Sequence, residues 1–217
     1  MFGLLILGFA SAQTGKLSVA VAFNTDTNYT LLGPLSTKSL EVDLTGTMYK
    51  QMELLVDTAS FVLDRVAVPE EISAANNPAM SGIPSKNQLA IWAKNLQKKE
   101  HFDLMLIIYK PLQMTGAYSS LEGLSYGVNT SKNYVFSLNN ALILNMKTME
   151  VLATTTIESE SDFLAGTFAF DKSLPFDNSR NMEKPIEMIN KLNQDFALKV
   201  FQCLQISKKR LTATVKK

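Results

Sequence analysis

The sequence predicts an α/β fold, on the border with α+β, in which a single domain has a mixed β-sheet of about five or six strands with three main helices packed on it. Three observations predict this fold. Residues 102–109 are nearly all apolar, which is typical of a central strand buried on both faces. Apolar side chains recur at three- and four-residue steps in other segments, as they do on the buried face of a helix. Short alternating segments between these helices indicate further strands.

The front of the chain contains the first predicted strands. Residues 16–23 alternate loosely and are rich in valine and alanine, which indicates a buried strand. Residues 24–30 are polar and predict a turn, and residues 40–44 alternate as a half-exposed strand does. Another short strand is predicted at residues 66–68.

The first helix is predicted from an apolar stripe. The stripe contains Met48, Met52, Leu55, Val56, Ala59, Val62 and Leu63. Thr45 or Thr47 can accept a hydrogen bond from a free backbone amide and so cap the first turn.

The second helix begins with a capping box. Residues 70–84 contain Asn, Pro, Ser and Gly and predict a loop. Ser85 and Gln88 then have the spacing at which each side chain bonds to the other residue's backbone amide. The inner face of this helix is formed by Leu89, Trp92, Ala93 and Leu96.

The back half predicts a hairpin and a long final helix. Residues 134–144 and 150–157 are strand candidates, joined by a short turn at residues 145–149. Residues 159–180 are irregular, and a helix follows at about residues 182–206, with Pro185 in its first turn. Its buried stripe contains Ile189, Leu192, Phe196, Val200 and Cys203. This order of elements resembles the small α/β modules of bacterial envelope proteins, such as the amino-terminal domain of the TolB family, in fold but in no motif.

Residues 1–12 predict a secretory signal peptide, with residues 13–217 as one globular domain. An unbroken apolar run at residues 1–9 precedes Ala10-Ser11-Ala12, which has the small residues of a signal-peptidase site. The usual basic region before the apolar run is missing, so either the natural start lies upstream or the run is a buried strand. The run is too short to span a membrane. We therefore expect a periplasmic or extracellular location.

Composition excludes several classes of partner and site. The net charge is +1, so the chain lacks the basic field that binds nucleic acid. Cys203 is the single cysteine and cannot form an internal disulfide, which favours a bacterial envelope over a eukaryotic secreted protein. No cysteine directly follows the apolar run to accept a lipid, and no phosphate-binding motif occurs. We expect no cofactor, and a protein or another envelope component as the partner.

A G-x-S-x-G motif is the strongest catalytic candidate. Gly123, Ser125 and Gly127 match the nucleophile elbow of α/β-hydrolases, in which a strand-to-helix turn exposes the serine. His101, the single histidine, precedes the serine, whereas the hydrolase order places the base after it. The segment after the motif also predicts a strand instead of a helix. A Ser–Lys pair is the remaining possibility for a periplasmic serine hydrolase.

Other side chains predict no metal site. One histidine and one cysteine cannot form an ordinary zinc or haem site, and His101 follows a predicted helix end, where a capping role is expected. The acidic residues Glu158, Glu160 and Asp162 lack the spacing of a calcium loop.

The sequence therefore favours a non-catalytic binding or assembly module of the bacterial cell envelope over an enzyme. Binding residues concentrate in long loops, here residues 70–84, 112–121 and 159–180. The candidate anchors are aromatic side chains, which can instead pack beneath their own loops: Tyr118, Phe163, Phe168, Phe170 and Phe176. The alternatives are a periplasmic serine hydrolase that uses Ser125 and a small-molecule carrier with an apolar pocket.

Overall fold

The computed structural model describes residues 15–25, 28–32, 37–73, 84–109, 123–129, 132–155, 168–170 and 183–214. These residues form two five-stranded sheets and three helices. The strands are β1 (Leu17–Asn24), β2 (Asn28–Leu32), β3 (Thr37–Asp43), β4 (Phe61–Arg65), β5 (Leu104–Tyr109), β6 (Gly123–Asn129), β7 (Lys132–Leu138), β8 (Asn140–Asn145), β9 (Val151–Thr154) and β10 (Phe168–Phe170). The helices are α1 (Leu44–Leu55), α2 (Lys86–Gln97) and α3 (Glu183–Thr214), and a short 3-10 turn lies at Glu70–Ile72. The predicted signal segment, residues 1–12, lies outside the described residues.

The first sheet has the mixed character that the sequence predicts. Its order is β4-β1-β5-β8-β9. β1 pairs in parallel with both β4 and β5, whereas β8 pairs antiparallel with β5 and with β9. With three helices beside this mixed five-stranded sheet, the α/β fold class is confirmed.

The core lies on both faces of the first sheet. Every residue of β5 is buried, as the apolar run predicts. Leu106 packs in the core beneath α1 and α3, and its neighbour Ile107 packs in the core beneath α2. Of the predicted inner face of α2, Leu89, Trp92 and Ala93 are buried, and Leu96 is partly buried against the same core.

The second sheet was not predicted. Its order is β10-β7-β6-β2-β3, with β2 and β6 parallel and the other pairs antiparallel. The chain enters this sheet between β1 and β2, again between β5 and β6, and a third time at β10. It returns to the first sheet between β3 and β4 and between β7 and β8. The predicted turn at residues 24–30 is therefore wrong in part, since β2 begins at Asn28. The single strand predicted at residues 134–144 is two strands in different sheets, separated at Asn139.

Helix α1 is shorter than its apolar stripe predicts. It ends at Leu55, and the following turn is closed by the Ser60 and Phe61 amides, which both donate to the Asp57 carbonyl. Val62 and Leu63 therefore belong to β4, and the strand predicted at residues 66–68 is wrong. The helix cap is Asp43 instead of Thr45 or Thr47, because the Asp43 carboxylate accepts the Gly46 amide.

The other two helices match their predictions at their amino ends. Ser85 and Gln88 form the expected capping box of α2, and Pro185 lies in the first turn of α3. α3 continues eight residues beyond the predicted end at Ile206, to Thr214. Its buried stripe continues as well, because Leu204 is buried and Leu211 packs against the core. This helix packs against α1 and contacts strands of both sheets.

Candidate functional site

Ser125 lies within β6 of the second sheet. Its Cα is opposite Thr30 of β2 on one side and Phe136 of β7 on the other. The G-x-S-x-G motif therefore forms a strand with partners on both sides, whereas a nucleophile elbow is a strand-to-helix turn. His101 is exposed in the connection between α2 and β5 of the first sheet. A catalytic role for Ser125 with His101 stays a prediction.

The predicted aromatic anchors are only partly within the described residues. Phe168 and Phe170 lie in β10, where their backbones pair with Phe136 and Tyr134 of β7. Outside the described residues lie Tyr118, Phe163 and Phe176, together with the acidic residues Glu158, Glu160 and Asp162. A binding role for the five aromatic residues stays a prediction.

Buried polar side chains gather at the carboxyl ends of β1 and β5. Asn24 of β1 is the Cα partner of Tyr109, which is in turn the partner of Asn140 in β8. The Thr25 hydroxyl donates to Asn139 Oδ1 at 2.8 Å, and Asn24 Nδ2 donates to the Ile72 carbonyl at 3.2 Å. The carboxyl ends of parallel strands are where open α/β sheets usually bind ligands.

In this protein the cluster ties the two sheets together. Thr25 lies where the chain crosses from β1 to the second sheet, and Asn139 lies where it crosses from β7 back to β8. Thr25 is 2% exposed and Asn139 is 9% exposed, so their hydrogen bond is out of reach of solvent. A buried polar group of this kind must be hydrogen-bonded to avoid a desolvation penalty. The hydrogen bond between Thr25 and Asn139 therefore fixes the relative position of two segments that connect the sheets.

A second polar cluster fixes the start of α1 on the sheet. The Asp43 carboxylate accepts the Gly46 amide at 2.8 Å and the Thr45 hydroxyl at 3.0 Å. The hydrogen bond from Gly46 is the main cause that lowers the pKa of Asp43 below its usual value of 3.8. Arg65 Nη2 of β4 then donates to Thr45 Oγ1 at 2.8 Å. A Cβ at position 46 would lie 2.3 Å from Asp43 Oδ2, so a larger residue there would displace the capping carboxylate.

Aromatic rings complete that cluster. The Arg65 guanidinium lies 5.1 Å from the centre of the Phe23 ring, which is within cation–π range. Tyr49 contacts the same ring edge-on, with 6.5 Å between ring centres. Burial raises the pKa of Tyr49 above its usual value of 10.0. The cluster uses its charged and polar groups to join α1 to β1 and β4.

The third cluster brings together a serine, a lysine and an aspartate that the sequence does not connect. Lys208 Nζ of α3 donates to Ser60 Oγ at 2.8 Å, and Ser60 Oγ donates to Asp57 Oδ2 at 2.6 Å. Lys208 also lies 5.7 Å from the centre of the Phe61 ring. The hydrogen bond from Ser60 is the main cause that lowers the pKa of Asp57 below 3.8. No sequence motif could have found this set, because Lys208 is 148 residues from Ser60.

The contacts of this cluster fit a structural clamp between α3 and the connection after α1. A serine nucleophile must give its proton to a neutral lysine, so the lysine nitrogen must accept. Here the lysine donates to the serine oxygen, and the serine proton points to the Asp57 carboxylate. Ser60 is also 9% exposed. The cluster fastens α3 to the connection between α1 and β4.

Helix side chains also bond to both edges of the first sheet. Along β4, every second residue directs its backbone groups towards β1, and Ser60 and Val66 both bond to β1. Leu63 lies an odd number of residues from each of them, so its backbone groups face the other edge of β4. The Tyr49 hydroxyl donates to that Leu63 carbonyl at 2.9 Å. At the opposite edge, Leu152 of β9 has no Cα partner in β8, and the Arg210 guanidinium of α3 donates to its carbonyl.

Exposed large apolar side chains concentrate on α1 and α3. Leu54 of α1 is 86% exposed, which is the largest value among the described apolar residues of this size. Leu55, Leu198 and Ile206 are also exposed. We call the outward sides of α1 and α3, with these four residues, the helical face. Elsewhere in the described part of the chain, single exposed apolar residues lie on β4, α2 and β9, namely Val62, Ile91 and Val151.

The described residues contain neither a metal-binding cluster nor a membrane-spanning helix. Over these ranges, no three His, Cys, Asp or Glu side chains are grouped so that they could hold a metal ion. None of the three described helices has the length and apolar character needed to cross a membrane.

No family model matches the chain, and no curated protein matches it in sequence. Several solved structures are similar to it, including the following three. Protein XCC0632 from Xanthomonas campestris, of the DUF330 family, has a TM-score of 0.48 and 8% identity over 93% of this chain and 90% of its own. Lipoprotein GNA1162 from Neisseria meningitidis has a TM-score of 0.32 and 11% identity over 83% and 98%. The LpoB C-terminal domain from Salmonella enterica has a TM-score of 0.25 and 11% identity over 67% and 83%. These likenesses assign neither a family nor a function to the chain.

Proposed function

We propose that the chain is an exported, non-catalytic binding or assembly module of the bacterial cell envelope, and that it binds through the helical face. The observation that carries this proposal is the exposure of Leu54 together with Leu55, Leu198 and Ile206 on two helices that pack side by side. Single exposed apolar residues are ordinary, whereas several on one face are typical of an interaction surface.

The scaffold beneath this face is held by side-chain contacts. The clamp of Lys208 on Ser60 joins α3 to the connection after α1, and Gln51 Nε2 of α1 bonds to the Asn190 carbonyl of α3. Because both helices are anchored in this way, the helical face presents its apolar side chains in a fixed arrangement. Preorganisation of this kind lowers the entropic cost of binding.

The proposed location depends on the first residues of the chain. The apolar run at residues 1–9 and the small residues Ala10 and Ala12 are typical of an export signal. The free thiol of Cys203 has no second cysteine to pair with, so an oxidising compartment could not form an incorrect internal disulfide.

Affinity capture from a bacterial envelope extract tests the binding role. The bait is the purified chain, as wild type or as the double variant Leu54→Asp with Leu198→Asp. The control is Ile91→Asp, which introduces one aspartate at an exposed apolar residue of α2, on the other side of the first sheet. We expect mass spectrometry to find species bound by the wild type and the control but lost from the double variant. Equal capture by all three proteins would contradict the role of the helical face.

A reporter fusion tests the proposed location. Residues 1–25 are placed before an enzyme that needs disulfide bonds, which form in the periplasm but not in the cytosol. We expect an active reporter and removal of about 12 residues. Ala10→Lys combined with Ala12→Lys should leave the fusion uncleaved. An inactive, uncleaved wild-type fusion would show that this segment is not an export signal.

A further inference from the structure

The outward side of α3 carries a stripe of five residues whose chemistry is self-complementary. The residues are Asp195, Leu198, Gln202, Ile206 and Lys209, and all five are exposed. Their spacings are 3, 4, 4 and 3 residues. At about 100° per residue they fall within an arc of about 80°, so they lie along one side of the helix. The order is acidic, apolar, amide, apolar, basic, which is symmetric about Gln202 in position and opposite in charge at the two ends.

We propose that this stripe is the interface for a second copy of the chain, with the two α3 helices antiparallel and a two-fold axis at Gln202. In a two-fold interface the same surface of each subunit must complement itself. Here Leu198 faces the partner's Ile206, and Asp195 faces the partner's Lys209. The symmetry repeats both contacts, which gives two apolar pairs and two ion pairs around the central amides.

Charge decides the direction of the helices. A parallel pairing in register would place each Asp195 against its own counterpart and each Lys209 likewise, and such like-charge contacts disfavour an interface. The antiparallel pairing joins opposite charges at both ends of the stripe. Lys191 lies on the same side of α3, one turn before Asp195. In the antiparallel pair it faces the partner's Ala213, so it meets no like charge.

The opposite side of α3 keeps the stripe in place. Val200 and Leu204 are completely or almost completely buried in the core, between the exposed positions of the stripe. α3 therefore cannot rotate to bury Leu198 or Ile206 without exposing these residues. An interface of one helix pair lies below the roughly 1,200 Å² of a standard stable complex, so we expect a weak, concentration-dependent dimer.

This inference deepens the proposed function, because it uses the helical face and names a second copy as one partner of it. The first test is sedimentation of the full chain from about 1 to about 500 μM, a range that covers weak complexes. We expect a monomer–dimer equilibrium. Asp195→Lys and Lys209→Asp should each raise the dissociation constant about tenfold, because each change places like charges opposite each other twice. The double variant Asp195→Lys with Lys209→Asp should restore the dimer.

Cross-linking at the two-fold axis provides an independent test. In a Cys203→Ser background, the cysteine introduced by Gln202→Cys should form a disulfide between subunits under mild oxidation. The control is Lys191→Cys, also exposed on α3. At about 1.5 Å per residue, that position lies about 33 Å from its counterpart along an antiparallel pair and should not cross-link. Thermal unfolding of each variant checks that these surface changes leave the fold intact.

The outcomes separate this inference from the proposed function. A monomer at every concentration, a dimer that the double charge reversal does not restore, or equal cross-linking from both cysteine positions would each overturn the antiparallel dimer. If the dimer is absent while the Leu54→Asp and Leu198→Asp variant still loses a captured envelope component, the second copy is wrong and the proposed function stands. A restored dimer with no captured component would support the self-association and contradict the wider proposal.

Discussion

The hydrogen bond between Thr25 and Asn139 is expected to stabilise the junction of the two sheets, and Thr25→Val tests this role. Valine has nearly the shape of threonine but no hydroxyl. The substitution therefore removes the donor to Asn139 Oδ1, 2.8 Å away, without opening a cavity. Because both residues are buried where the chain crosses between sheets, water cannot readily replace the lost donor.

The expected cost follows from burial. An intramolecular hydrogen bond contributes about 0.5–1.5 kcal/mol, and a buried acceptor that loses its donor costs about 1–3 kcal/mol. The new methyl group offsets part of this, because it needs no hydrogen bond in the interior. We expect the free energy of unfolding to fall by about 1–2 kcal/mol. In a domain of 150–250 residues, 1 kcal/mol shifts Tm by about 2–4 °C, so Tm should fall by about 2–8 °C.

Urea unfolding followed by circular dichroism measures the change. Thr25→Ser keeps the hydroxyl and should cost less than Thr25→Val. Thr47→Val removes a hydroxyl whose bond to the Asp43 carbonyl lies at the surface, so it should change stability by less than about 0.5 kcal/mol. The reasoning is refuted if Thr25→Val lies within about 0.3 kcal/mol of the wild type, or if Thr25→Ser costs as much as Thr25→Val.

Three further predictions concern titratable groups. Burial raises the pKa of Tyr49 above 10.0, so the neutral Tyr49 side chain should contribute stability below pH 10 that is lost as the pH rises through the folded pKa. Melting curves of Tyr49→Phe should show a smaller fall in Tm over this alkaline range. The pKa of Asp43 lies below 3.8 in the folded chain, so its carboxylate should contribute to the free energy of unfolding above pH 3.8. This contribution should be lost as the pH falls through the folded pKa. In urea titrations, Asp43→Asn should therefore lose less stability at acid pH than the wild type. Burial raises the pKa of the Cys203 thiol above 9.0, so at pH 8 a chromogenic disulfide reagent should label the native protein much more slowly than the urea-unfolded protein, and equal rates would contradict its burial.

The parts of the fold that the sequence predicts are those that local patterns encode. β5 is recognisable because a strand covered on both faces needs apolar residues at every position. α2 is recognisable because the bonds of its capping box lie within four residues, from Ser85 to Gln88. In both segments the neighbours in the sequence are also the neighbours that stabilise the structure.

The errors occur where distant pairing decides the structure. Val62 and Leu63 extend the apolar spacing of α1, but a parallel ladder with β1 places them in a strand. β2 lies in a segment that looks like a turn, and its partners β3 and β6 are defined by backbone pairing across the chain. Strand pairing is more context-dependent than helix formation, so one chain segment cannot reveal a second sheet.

Among the polar clusters, too, local sequence indicates the candidate residues, and contacts between distant segments decide the arrangement. Asp43 is next to α1, yet Thr45 and Thr47 offer the same capping chemistry, and only the geometry selects the carboxylate. The clamp of Lys208 on Ser60 depends on contact between distant segments. The exposed stripe of α3 follows the same helical periodicity as the opposite side, where Val200 and Cys203 lie, so local spacing is sufficient to locate it.

The edges of the first sheet are less available to a partner than the helices are. An edge strand offers free backbone groups to a strand of another chain, and proteins commonly block such edges. At β4 an added strand would have to displace the Tyr49 hydroxyl from the Leu63 carbonyl. At β9 it would have to displace Arg210 from Leu152, where the interrupted register already breaks the ladder. Tyr49 belongs to α1 and Arg210 to α3, so the helices that bond to the edges of this sheet are also the helices that expose apolar side chains. Association through this sheet is therefore disfavoured, and association through the helical face requires no rearrangement of the fold.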